Sequence, residues 1–159
     1  MKVVDNVHRI FCCWSLALLL AGSQLSCSRF PLAWREADAL PATLATAPAG
    51  RWEGAWQSGR NRHSGALRCI VTPAGGQLPG DAGLYEFYFH ATWAQVLSGA
   101  WKITCAVERD GQGGWRFQGA RKLGWGMGSY RFEGSVSGKM FRASYQGKQD
   151  RGLLEMKRP

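Results

Sequence analysis

Gly128-Ser-Tyr130-Arg-Phe132-Glu-Gly134-Ser-Val136-Ser-Gly138-Lys-Met-Phe141-Arg-Ala143-Ser-Tyr145-Gln146 is two alternating runs joined at a glycine. One parity carries Tyr130, Phe132, Gly134 and Val136, then Phe141, Ala143 and Tyr145; the other carries Arg131, Glu133 and Arg142. Successive strand side chains point to opposite faces, so this pattern predicts a β-hairpin with one apolar and one solvated face. Taking Ser137-Gly138 as the two-residue connection pairs Val136 with Lys139. Glu133 then faces Arg142 outside, while Gly134 lies opposite Phe141 and Tyr130 opposite Tyr145 inside.

Working outward, the same short alternating runs, punctuated by glycine, extend over residues 50–159. They predict eight strands, at 50–57, 65–72, 83–93, 99–108, 114–119, 128–136, 139–146 and 152–157. Residues 91–98 could instead turn helically. Choosing one parity per strand sends 13 of the 17 aromatics after residue 27 to a common face. The opposite faces hold charges such as Arg68, Glu86, Lys102, Arg116 and Glu155. An aromatic-x-Gly pattern recurs at Trp52-Glu-Gly54, Phe117-Gln-Gly119, Phe132-Glu-Gly134 and Tyr145-Gln-Gly147, placing glycines where strands must coil. The fold class is therefore all-β, a single antiparallel up-and-down barrel of about eight strands, which leaves no free edge. A β-sandwich is the alternative.

The N-terminus reads differently. Lys2 and Arg9 precede an apolar run over residues 10–23 that falls short of the roughly 20 residues a membrane span needs. Residues 1–26 read as a signal peptide, which exports the protein to the periplasm or cell envelope, or secretes it. Leu25-Ser26-Cys27 resembles a bacterial lipobox with Gln24 in the apolar position, making Cys27 a lipidation candidate and a membrane tether. Residues 27–49, with Pro31, Pro41 and Pro48, form a linker or tether in which a short helix around Trp34 is the second reading.

The first strand opens Gly50-Arg51-Trp52 and the last ends Met156-Lys157-Arg158. This resembles the calycins, the lipocalin and avidin group. The resemblance implies that Trp52 plugs the closed end of the barrel with Arg158 packed over its indole, and that a ligand enters at the opposite end. The Thr-Asp-Tyr motif and C-terminal helix of lipocalins and the biotin ligands of avidins are missing, so no binding residue carries over.

In a meander the loops alternate between two ends. One end collects Arg60, Arg62, His63, Arg121, Lys122, Lys148 and Arg151, with Trp125 on the same loop as Arg121, and with Asp150 sums to +5; the other sums to −1. These residues form a candidate mouth for a small anionic or amphipathic ligand, since guanidinium groups suit carboxylate and phosphate. A barrel of this size is only just wide enough to be packed solid or to hold one small ligand. A filled core is the first reading and a ligand the second. A solid envelope protein that binds anionic polymer or a membrane surface is the alternative function.

Catalytic motifs, cofactor signatures and metal-ligand spacings are not found. His63 with Asp150 is the one pair that loop proximity could make catalytic, in a hydrolase-type reading. Cys69 and Cys105, on the second and fourth strands, are separated by about 9.6 Å and are expected to be free buried thiols. The net charge of +9, still +8 on residues 27–159, raises nucleic acid as a partner, but the export pattern and inward aromatics argue against it. The sequence leaves the oligomeric state open.

Overall fold

The computed structural model describes residues 29–39, 48–77, 82–93, 97–123 and 128–159. Residues 1–26, read as a signal peptide, Cys27 and Trp125 lie outside them. Eight strands form one closed barrel in sequence order: β1 Gly50–Ser58, β2 Ser64–Gln77, β3 Gly83–Trp93, β4 Leu97–Arg109, β5 Trp115–Leu123, β6 Gly128–Ser137, β7 Met140–Gly147 and β8 Arg151–Lys157. Every neighbouring pair is antiparallel, and β1 closes on β8 from Glu53↔Lys157 to Ser58↔Gly152, which excludes the two-sheet sandwich. Residues 91–93 and 97–98 extend β3 and β4 and make no helical turn.

The hairpin of β6 and β7 forms two residues out of the expected register. Its turn is Gly138-Lys139, pairing Ser137 with Met140, Val136 with Phe141 and Phe132 with Tyr145. Both favoured two-residue turns need positive φ at their first central residue, and this register puts Gly138, at φ 55°, there in place of Ser137. The shift is even, so every side chain keeps its face. Glu133 now faces Ser144, and the glycines are covered by other rings: a Cβ at Gly134 would sit 2.6 Å from Phe117, and one at Gly147 2.6 Å from Tyr130.

Large aromatics fill the end of the barrel near the start of β1. Trp52, Phe87 and Phe141 are fully buried, with Phe117 between them at ring separations of 4.8 Å from Phe87 and 5.0 Å from Phe141. The Arg158 guanidinium lies 4.4 Å from the Trp52 ring centre and donates to the Ala49 carbonyl, while the Trp52 indole donates to Pro48. Gly50 passes under it at φ 114°, where a Cβ would lie 2.6 Å from Arg158 Nη1. Cys69 and Cys105 are buried free thiols in this core. Burial, with Cys105 nearby, raises Cys69 well above the usual thiol value, and burial pushes Cys105 up to about 12.

The stretch read as a linker is not a spacer throughout. Helix α1, Arg29–Glu36, and the 3-10 turn Ala37–Ala39 lie across the outside of β1, β2 and β3. Phe30 is 2% exposed and sits 4.9 Å from both Tyr88 and His90. Trp34 stacks under Arg51 and Arg68, and Asp38 pairs with Arg51. Ile70 explains the docking: it points outward between Cys69 and Val71 yet is 4% exposed. Burial, and secondarily Arg68, holds His90 below its ordinary value of 6.5.

Three outcomes follow from this packing. Phe30→Ala should remove about 3 kcal/mol of docking free energy, seen as faster amide exchange over residues 29–39 while the barrel strands keep their protection. The unfolded chain protonates His90 before the folded one does, so thermal stability should be intact above about pH 6.5 and decline below it. Ellman's reagent should leave Cys69 and Cys105 unmodified in the native barrel and label both in guanidinium chloride.

Candidate functional site

The opposite half of the barrel is hollow. Its inward positions carry Ala91 and Gly99 alongside aromatics, and a cavity of about 520 Å³ opens there at the mouth. Trp56, Trp101, Tyr130, Phe132, Tyr145 and Leu154 form most of its wall. Phe89 stacks on Trp101 at 5.4 Å and on Phe132 at 6.0 Å, tying the wall to the packed half. Trp56 donates its indole N–H to the Thr92 carbonyl. The Trp101 Nε1 is buried and has no hydrogen-bond partner among the described residues. A buried donor of this kind favours a ligand acceptor.

One seam beside the cavity is short. β4 and β5 pair only from Ala106↔Gln118 to Arg109↔Trp115, four pairs, where the other seams have six to eleven. Toward the mouth, residues 97–105 and 119–123 run unpaired with each other. Gly99, Ala100, Trp101 and Arg121 line the cavity on either side of this slot.

A polar cluster braces the rim. The Asp150 carboxylate accepts from Ser58 Oγ at 2.7 Å, Tyr145 Oη at 2.8 Å and the Arg151 amide at 2.8 Å. Ser58, 3% exposed, also accepts from the amides of Arg60 and Asn61. These bonds join the β1–β2 turn, which holds Arg62 at φ 61°, to the β7–β8 turn. Burial first, and then the Asp150 bond, raises the Tyr145 phenol well above its usual value; burial and Asp150 raise Tyr130 as well. Tyr145 therefore stays protonated and donates throughout the neutral range.

The residues singled out in the sequence separate into three groups. His63 and Arg121 line the cavity. Arg121 and Lys122 lie on β5, which runs past the expected end at residue 119, and alternation sends Arg121 inward beside Tyr130 and Lys122 outward. Arg60, Lys148 and Arg151 line a separate outer groove of about 440 Å³, with Arg60 donating to the Gln149 carbonyl at 2.6 Å. Arg62 and Lys122 are exposed and line neither. Asp150 is spent on Ser58 and Tyr145, whereas the recorded bonds of His63 run through its backbone, to Asn61 Oδ1 and from Ser58 N. No cluster of three or more potential metal-ligating side chains occurs among the described residues.

The wall residues Trp56, Trp101, Tyr130, Phe132 and Tyr145 were legible as inward-facing but not as cavity lining. The signal was the small residues beside them, Ala91 and Gly99. Comparisons with family models, with curated proteins and with solved structures returned no match.

Asp150→Ala should leave Ser58 Oγ and Tyr145 Oη without their acceptor and destabilise the barrel by about 2 kcal/mol, measured by urea unfolding. Asp150→Asn, which keeps an acceptor oxygen, should recover part of that loss.

Proposed function

We propose that this protein is an exported, non-catalytic carrier or sensor whose barrel holds one small amphipathic molecule, its apolar body against Trp101, Phe132 and Leu154 and an anionic end at Arg121. The observation that carries this reading is the cavity of about 520 Å³. It lies within the roughly 300–1,000 Å³ typical of small-molecule sites, and its wall is mainly apolar with a few polar groups at the opening. Arg121 supplies charge and a planar donor set, His63 and Asn61 add polar atoms at the rim, and Trp101 Nε1 offers a donor deeper in. Asp150 also lines the cavity, its carboxylate held in place by two hydroxyl donors. Export rests on the N-terminal pattern of residues 1–26, and the tether on Cys27.

The outer wall supports this reading over that of a membrane-spanning barrel. It carries ion pairs Glu86–Lys102, Glu53–Arg68 and Glu155–Arg142 where a membrane barrel has an apolar band.

The test is binding of 1-anilinonaphthalene-8-sulfonate and of a dansylated long-chain fatty acid, followed by fluorescence. One molecule should bind per barrel. Arg121→Gln should weaken binding of both anions about tenfold, roughly 1.4 kcal/mol. Ala91→Leu should reduce binding by narrowing the cavity while thermal stability is held or raised. No saturable binding, or binding indifferent to both substitutions, would overturn the reading. Native mass spectrometry of protein taken from its producing cells gives the natural ligand as a mass lost on denaturation.

A further inference from the structure

We propose that the mouth end of the barrel is a docking face for an anionic lipid bilayer. The face combines charge and apolar surface in the arrangement a bilayer offers. Arg60, Arg62, Arg121, Lys122, Lys148 and Arg151 are all exposed around the mouth, on four different strand ends or turns. The salt bridges among the described residues use Arg51, Arg68, Lys102 and Arg142, all on the wall, and none of these six. The one carboxylate amid them, Asp150, is engaged by Ser58 and Tyr145.

Trp93 and Leu97 add the apolar part. They pair with each other at the ends of β3 and β4, and both carry the inward parity of their strands. They stand at the lip, Trp93 37% exposed with one side on the cavity and Leu97 53% exposed. An anionic polymer offers phosphates or carboxylates without a hydrocarbon layer. A bilayer offers headgroup charge to the cations and an interfacial zone to an indole and a leucine at the same depth.

The course of the chain points the same way. Phe30 packs on His90, three residues from Trp93 along β3, or about 10 Å from the lip. Arg29 therefore starts the helix on the mouth half of the barrel, two residues after the tether candidate Cys27. An attachment there would hold the mouth toward the membrane. The face shares Arg121 and Trp93 with the cavity, while Leu97 and the other five cations lie outside it, so an empty barrel still presents this rim.

The experiment uses the full chain with vesicles of pure phosphatidylcholine and of equal parts phosphatidylcholine and phosphatidylglycerol, read by cosedimentation and by hydrogen exchange. Binding to the anionic vesicles should exceed that to the neutral ones, weaken with salt, and protect residues 59–63 and 147–151 together with the ends of β3 and β4. Trp93→Ser combined with Leu97→Ser should weaken the anionic partition about tenfold and abolish that protection, whereas Leu153→Ser, an equally exposed leucine on the wall, should leave both unchanged. Circular dichroism establishes that each variant is folded. Protection confined to residues 1–28, or partition unaltered in the double variant, overturns the proposal. Heparin producing the same protection as the anionic vesicles, with no loss in the double variant, overturns it in favour of a polymer partner.

Discussion

An eight-stranded barrel has a fixed girth, so the side chains sent inward at each level decide whether that level is solid or hollow. Everything else in this molecule depends on how that limited volume is allotted. At the β1 start, Trp52, Phe87, Phe117 and Phe141 occupy the whole cross-section, and Arg158 seals the end from outside. Higher up, Ala91 and Gly99 yield space while Trp56, Trp101 and Phe132 keep the wall apolar. The packed half can thus supply rigidity and the open half can remain accessible. The alternatives of a filled interior and an open one, which the sequence left opposed, occupy successive levels of one tube.

The polar groups at the mouth follow from the same constraint. A hollow end lacks the packing that would fix its turns, and here the bonds of Asp150 to Ser58 and Tyr145 hold two of them. Such a cluster is stable because each hydroxyl donates to a carboxylate and each acceptor is filled. His63 and Asp150 line the same cavity, and the side-chain bonds given for Asp150 go to Ser58 and Tyr145. Of the cations nearby, Arg60 shares this bracing through its bond to the Gln149 carbonyl, while the described salt bridges use none of the six around the mouth.

Strand number, order and facing were legible because alternation is a period-2 signal that survives errors of detail. The β6–β7 register shows this: the turn was placed one residue early, every pairing shifted by two residues, and yet every side chain stayed on its predicted face. The turn itself was readable, since Ser137 is a poor occupant of a position that needs positive φ and Gly138 a good one. The outer helix was harder. Phe30, Trp34, Tyr88 and Trp125 were the four aromatics left over from the inward set, and three of them meet on the wall beside Ile70. A surplus of apolar residues on an outward face was the available sign, but a pairing of helix and wall across more than fifty residues has no local periodicity to announce it. The reach of β5 was missed for a related reason: Arg121 and Lys122 read as loop charges because a strand end lined with cations lacks an apolar alternation.

The short seam between β4 and β5 bears on motion. Strand pairs resist separation through their ladders, and with only four pairs recorded this boundary has the least backbone bonding to break. Local opening should therefore begin at its mouth end and stop at Ala106↔Gln118, beyond which the aromatic core is continuous. The other seams keep their longer ladders, so this boundary opens and recloses on the timescale of a local fluctuation without the rest of the barrel coming apart.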